Sequence, residues 1–187
     1  MANEIQPGLA TFGQRSKTEA EMMPRVEAYL WGRPNTVSVD TAPVELQKAE
    51  DIDLLWGRRT KGGDAITTVE VKVDTQIHKT GNFAFEVVVD LLKPKRGCII
   101  RTTSNYLFYV CASTGKMWAM RTPAFQAWFI DEITSIAKLG TRKRRWPITT
   151  TNSAMSNGRY YTAVCYLVPE ADLIKGLGDD LKIVELP

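Results

Sequence analysis

The chain of 187 residues holds a single histidine and three cysteines. One histidine cannot build a His-rich zinc site. His78 falls in a polar connection, where a surface position is expected. Cys98, Cys111 and Cys165 are odd in number and lack the paired spacing of a zinc site or a C-x-x-C motif. No secretory apolar segment heads the sequence, so reduced thiols in a cytosolic protein are expected. No apolar run approaches the ~18 residues that a membrane span requires. Internal repeats and low-complexity tracts are also missing. Net charge is only +3, too small to identify a nucleic-acid partner, so the placement of charge carries the argument.

Hydrophobic residues make up 44% of the chain and charged residues 24%, which suits one domain with a sizeable core. Residues 1–17 are polar and rich in Gly, Pro, Ser and Gln, and read as a loose lead-in. From Thr18 to Leu30 the spacing of Met22, Met23, Val26 and Leu30 predicts a helix, with Pro24 at a first turn or kink. Asn35 to Val44 reads as extended. Asp51 to Trp56 and Thr67 to Val73 alternate as strands, joined by a loop around Gly62-Gly63. Asn82 to Leu91 reads as the next strand. Tyr106–Cys111 and Lys116–Arg121 flank "ASTG", a hairpin signal. A helix is expected from Pro123 to Leu139, a late strand from Tyr160 to Val168, and a short helix start from Pro169 to Ile174. This order predicts an α/β domain over 18–187, with a mixed central sheet flanked by helices.

Within "VEVKVD", side chains alternate between faces, so Glu70, Lys72 and Asp74 share one face and Val69, Val71 and Val73 the other. In "DIDLLW", Asp51 and Asp53 share a face opposite Ile52, Leu54 and Trp56. If the two strands pair antiparallel, Asp53 comes beside Glu70. Two carboxylates there form a hard-oxygen site for Mg²⁺, with Mn²⁺ as a substitute, and the Val71 carbonyl is a candidate third ligand. Such an ion would stabilise charge on a phosphorane and acidify a bound water. Lys72 would orient that water or neutralise the phosphorane. An acid and a lysine two residues apart on an alternating strand are equally compatible with a solvated face.

The order Asp53 … Glu70-Val71-Lys72, continued through "EVKVDTQIHKTGNFAFE", "RGCIIRTTSNYLFYV" and "YLVPEADL", resembles phage-type members of the PD-(D/E)XK nuclease superfamily, over about residues 50–175. Ile52 stands where the motif often has proline. The resemblance implies the restriction-endonuclease-like fold, with Asp53 and Glu70 as metal ligands and Lys72 as the catalytic lysine. It also implies a glutamate on the first helix that completes the site. Glu19 fits because Met22, Met23 and Val26 follow on the same stripe, while Glu21 and Glu27 are alternatives. The single histidine leaves the HNH class of nuclease poorly supported.

Gln76 and Glu86 are candidate supporting residues, or simply polar and outward-facing. Thr80-Gly81-Asn82 is a turn signal. Arg142, Lys143, Arg144 and Arg145 precede Trp146 with no acid among them. The cations suit a phosphate backbone, and the indole either stacks on an unpaired base or docks into the core. Lys93, Lys95, Arg96 and Arg101 form a second basic stretch; Arg58, Arg59 and Lys61 form a third, expected near the site. The expected function is therefore a Mg²⁺-dependent phage endonuclease acting on DNA, in the host cytoplasm or associated with the virion. Junction resolvase and exonuclease action are alternatives within that class, and a resolvase would need a homodimer. The rival outside it is a non-catalytic DNA-binding or virion protein; a plain protein-interaction domain leaves the Arg142–Arg145 run unexplained.

Overall fold

Met22, Val26 and Leu30 lie along the buried stripe of helix α1 (Phe12–Trp31) in the computed structural model, which describes residues 12–90, 96–138, 146–154 and 160–187. The helix starts at Phe12 rather than Thr18, so the expected lead-in is shorter than 1–17. The added residues include Gln14, Arg15 and Lys17, good helix formers that carry no apolar period to announce them. Pro24 lies inside α1, which continues through it to Trp31.

Next come β1 (Thr36–Thr41), α2 (Val44–Glu50), β2 (Leu54–Thr60), β3 (Gly63–Asp74), the short α3 (Ile77–Thr80) and β4 (Asn82–Val88). They are followed by α4 (Cys98–Arg101), β5 (Tyr106–Cys111), β6 (Lys116–Arg121), α5 (Thr122–Lys138) and β7 (Ile148–Ala154). The order closes with β8 (Tyr160–Pro169), α6 (Glu170–Leu177), a 3₁₀ turn (Gly178–Asp180) and β9 (Leu181–Glu185). The β5–β6 hairpin has the expected bounds, and Gly115 supplies the positive φ of 75° at its turn.

Six strands form a central sheet in the order β1-β2-β3-β5-β6-β9. β3 and β5 run parallel, and the other neighbours are antiparallel. Strands β4, β8 and β7 form a second, antiparallel sheet. The architecture is thus a single mixed α/β domain whose central sheet is flanked by helices.

The central sheet has a core on each face. On one, Met22, Val26 and Leu30 of α1 pack against Val69, Val71, Trp56 and Phe108. On the other, Leu107, Tyr109, Trp118 and Met120 meet Phe83 and Phe85 of β4 together with α5 and α6. Phe85 lies at the centre of the second core, its ring 4.8–5.6 Å from those of Phe83, Tyr109, Phe125 and Phe129. Trp146 belongs to this core as well. It is 1% exposed, stacks on Phe129 at 5.9 Å and donates from Nε1 to Asp172 at 2.7 Å. Its ring is therefore closed to a nucleic-acid base, and docking into the core is the reading that holds. Among the described residues no helix is long and apolar enough to cross a membrane.

Candidate active site

The antiparallel pairing of β2 and β3 sets Leu54 opposite Val69. The residue before Leu54 and the residue after Val69 are therefore neighbours, and these are Asp53 and Glu70. Asp53 sits just ahead of β2, where its N–H donates to the Val69 carbonyl at 2.9 Å and its Oδ2 accepts from the Val71 N–H at 2.7 Å. β2 thus stops at Leu54 while β3 runs on to Asp74 with β5 alone beside it. The Asp53 side chain takes over the pairing that β2 has given up. In a strand the C=O of a residue leaves on the same flank as its N–H, so the Val71 carbonyl also points towards Asp53.

Glu70 is 2% exposed, and Lys72 Nζ reaches its Oε1 at 2.6 Å. Burial raises the Glu70 pKa to about 8; Lys72 pulls it down, and the charge of Asp53 with a hydrogen bond to it pushes it up. Burial works against the Lys72 ammonium, but Cys98, Glu70 and Asp53 hold its pKa well above the usual lysine value. From α1, Glu19 approaches closely enough to feel both Lys72 and Asp53. Its pKa is raised, first by burial and then by Asp53, against the pull of Lys72. The structure thus brings Asp53, Glu70, Lys72 and Glu19 to one place, the end of the sheet where β2 stops.

Cys98, expected only as a reduced thiol, also borders this cluster. Burial raises its thiol to about 11; Lys72 lowers it, and Glu86 and Glu70 raise it. Glu86 therefore lies near Cys98. The preceding Gly97 explains how α4 comes so close. A Cβ at this position would meet the Glu86 carbonyl oxygen at 1.9 Å. Gly97→Ala is expected to cost about 1–3 kcal/mol, because backbone must shift to admit the methyl group. Urea unfolding of the two proteins measures it.

Other residues singled out in the sequence lie elsewhere. Asp51 does not share a strand face with Asp53. It caps α2 in the left-handed region at φ 50°, and its carboxylate pairs with Arg101. That pairing occupies Arg101, one of the cations expected to face DNA. Gln76 does not stay on the face of Lys72. It starts α3, is exposed, and bonds Thr75 at 3.2 Å. Asp74 accepts from the N–H groups of Gln76 and Ile77 and from the Tyr109 hydroxyl, so it anchors the end of the strand.

Arg58 is not near the site either. β2 carries it away from Asp53 by roughly 16 Å of strand, and strand alternation puts it on the face of Leu54 and Trp56. Lys61 is at the exposed tip of the β2–β3 hairpin, and Arg59 pairs with Asp64 at 3.1 Å. His78 is exposed, as expected, and Thr80-Gly81-Asn82 forms a turn with Gly81 at φ 65°. Arg142, Lys143, Arg144 and Arg145, with Lys93 and Lys95, lie outside the described residues.

Among the described residues no group of three or more His, Cys, Asp or Glu side chains is arranged to hold a metal ion. The set at the end of β2 is smaller: two adjoining carboxylates, a backbone carbonyl on the same flank, and Glu19 within electrostatic reach. It consists of oxygen donors, and it suits a small hard cation that keeps several of its waters. No protein-family model, no curated protein and no solved structure matches the chain.

Proposed function

We propose that the chain is a metal-dependent deoxyribonuclease of the PD-(D/E)XK type, with a restriction-endonuclease-like fold. The observation that carries this reading is the convergence of Asp53, Glu70 and the Lys72 ammonium where β2 stops and β3 continues. A mixed sheet with α1 on one face and the acid–lysine strand near its centre supports the fold assignment.

Asp53, Glu70 and the Val71 carbonyl would hold Mg²⁺, with Mn²⁺ as a substitute, and Glu19 would complete the set. When bound, the ion supplies a Lewis acid for a non-bridging phosphate oxygen and lowers the pKa of a coordinated water. Lys72 holds a positive charge beside Glu70, where it orients the attacking water and offsets negative charge gathering on the phosphorus-bound oxygens. Asp53 keeps the β3 backbone in place through the Val71 N–H, so the carbonyl two bonds on is held as well. DNA would be gripped through its phosphates, with salt-sensitive and largely sequence-independent affinity.

Cleavage of plasmid and branched DNA with Mg²⁺, Mn²⁺ or EDTA, by the parent and by Lys72→Ala, tests the reading. Metal-dependent cutting by the parent, lost in the variant, is expected. Binding of DNA without cutting by either protein would replace it with that of a DNA-binding protein. Preference for four-way junctions by a dimer would place it among resolvases.

A second measurement reads the site without turnover. The folded-state pKa of Glu70, about 8, lies above the ordinary value of 4.5. Its contribution to stability is therefore complete below the unfolded-state value and is lost as pH rises through the folded-state value. In EDTA, Glu70→Gln is expected to gain Tm relative to the parent as pH rises from about 5 to 9, by roughly 10 °C. Mg²⁺ is expected to raise the Tm of the parent at the upper end of this range and to leave Glu70→Gln unchanged. Parallel Tm curves for the two proteins would remove Glu70 as the titrating ligand.

A further inference from the structure

On the sheet face opposite Glu70 and Lys72, beyond the C-terminal end of α1, lies a cavity of about 500 Å³. Its size is that of a small-molecule site. Trp56 and Phe108 form the floor, and Tyr29 and Tyr106 flank it, with ring centroids 6.3 and 6.1 Å from that of Phe108. Four cations, Arg33, Arg58, Arg121 and Lys182, line it against two carboxylates, Asp179 and Asp180. Asp180 is partly engaged by Arg121 at 3.4 Å, so the lining retains an excess of positive charge.

The walls are held in place before any ligand arrives. Trp56 Nε1 donates to Thr36 Oγ1 at 2.9 Å, and that hydroxyl donates to the Leu30 carbonyl at 2.7 Å. Arg58 lies over the Trp56 ring at 4.4 Å and Arg33 over the Tyr29 ring at 5.6 Å. The Arg58 Nε is buried and has no hydrogen-bond partner. The Nε itself is too enclosed for a ligand to touch, but among the described residues no carboxylate pairs with this guanidinium, so its charge is open to an anion entering the cavity. Flat aromatic surfaces and arginines with free edges in one cavity match a ligand that is itself part flat ring and part anion.

We propose that this cavity is a nucleotide-binding site separate from the Asp53–Glu70–Lys72 cluster. The base packs on the half-buried rings of Tyr29 and Tyr106, above the closed floor of Trp56 and Phe108, and a phosphate meets Arg58 and Arg33. Either a free nucleotide or the terminal nucleotide of a single strand carries this chemistry. The site stands on its own residues and does not depend on the chain being a nuclease.

Calorimetric titration of the Lys72→Ala protein, with dAMP and separately with a short 5′-phosphorylated oligothymidylate, tests it without cleavage. At least one of the two is expected to bind and to weaken about tenfold in Arg58→Ala, the effect of losing a charge-assisted contact. Arg33→Ala, where a surface cation is removed, is expected to weaken the same ligand. If dAMP alone responds, the occupant is a free nucleotide; if the oligonucleotide alone responds, it is a strand end. Absence of binding by both ligands at millimolar concentration overturns the proposal. So does binding that neither arginine variant changes, or inorganic phosphate binding as tightly as dAMP.

Discussion

Lys72→Ala is expected to slow DNA cleavage by about 10²–10³-fold or more, the usual loss when a preorganised stabiliser of transition-state charge is removed. The fold is expected to survive. Taking one member from a buried ion pair is ordinarily damaging, since the other charge is left unpaired. Here the remaining partner is Glu70, whose pKa already stands at about 8 with Lys72 pulling it down. Without that pull the carboxyl keeps its proton and remains neutral in its pocket. Single-turnover cleavage at saturating protein separates the rate from the affinity. DNA binding measured alongside is expected to change little, because one of many phosphate contacts is at stake. Cutting by Lys72→Ala at the parental rate would remove the lysine from the chemistry and with it the main support for the nuclease reading.

The second large effect concerns stability. Phe85→Ala is expected to cost about 3–5 kcal/mol, because it leaves a cavity where one side chain meets four other rings. Phe85 has 0% exposure, and it joins the three-stranded sheet to α5 and to the second face of the central sheet. For a chain of this size the loss corresponds to a fall in Tm of roughly 10 °C. It is a large share of the ~5–15 kcal/mol that holds a typical domain together. Calorimetry of the parent and the variant measures it. A fall of only a degree or two would mean that β4 packs less tightly on the central sheet than its ring contacts indicate.

Much of the site was readable in the sequence because its logic is local. Alternation along β3 puts Glu70 and Lys72 on one face, and antiparallel pairing with β2 follows from two amphipathic stretches joined by a glycine turn. The apolar stripe of α1 aligns Glu19 with that site for the same reason. Other features left no such trace. α2 buries none of its residues, so no apolar period marks it, although Glu45 and Lys48 are placed as a helix prefers. β7 is rich in polar side chains and β9 is only five residues long, and they gain their place from β8 and β6. Arg58 was expected at the site because it lies close to Asp53 in sequence. A strand converts such closeness into distance, and its even spacing from Leu54 turns it to the opposite face. The docking of Trp146 depends on Phe129 and Asp172, which are near it only after folding.

The Asp53 carboxylate accepts the Val71 N–H at the point where β2 falls away. One side chain is thus both a prospective ligand and a substitute for a missing strand, and mutagenesis at this position reports on two losses together. Alanine takes away the negative charge and also lets the backbone amide go. Asparagine removes the charge but keeps a carbonyl able to accept from that amide, so the contrast between the two substitutions separates chemistry from scaffolding. The same arrangement makes the Val71 amide a local reporter. Its exchange with solvent hydrogen follows the grip of Asp53 and not the unzipping of the β2–β3 ladder.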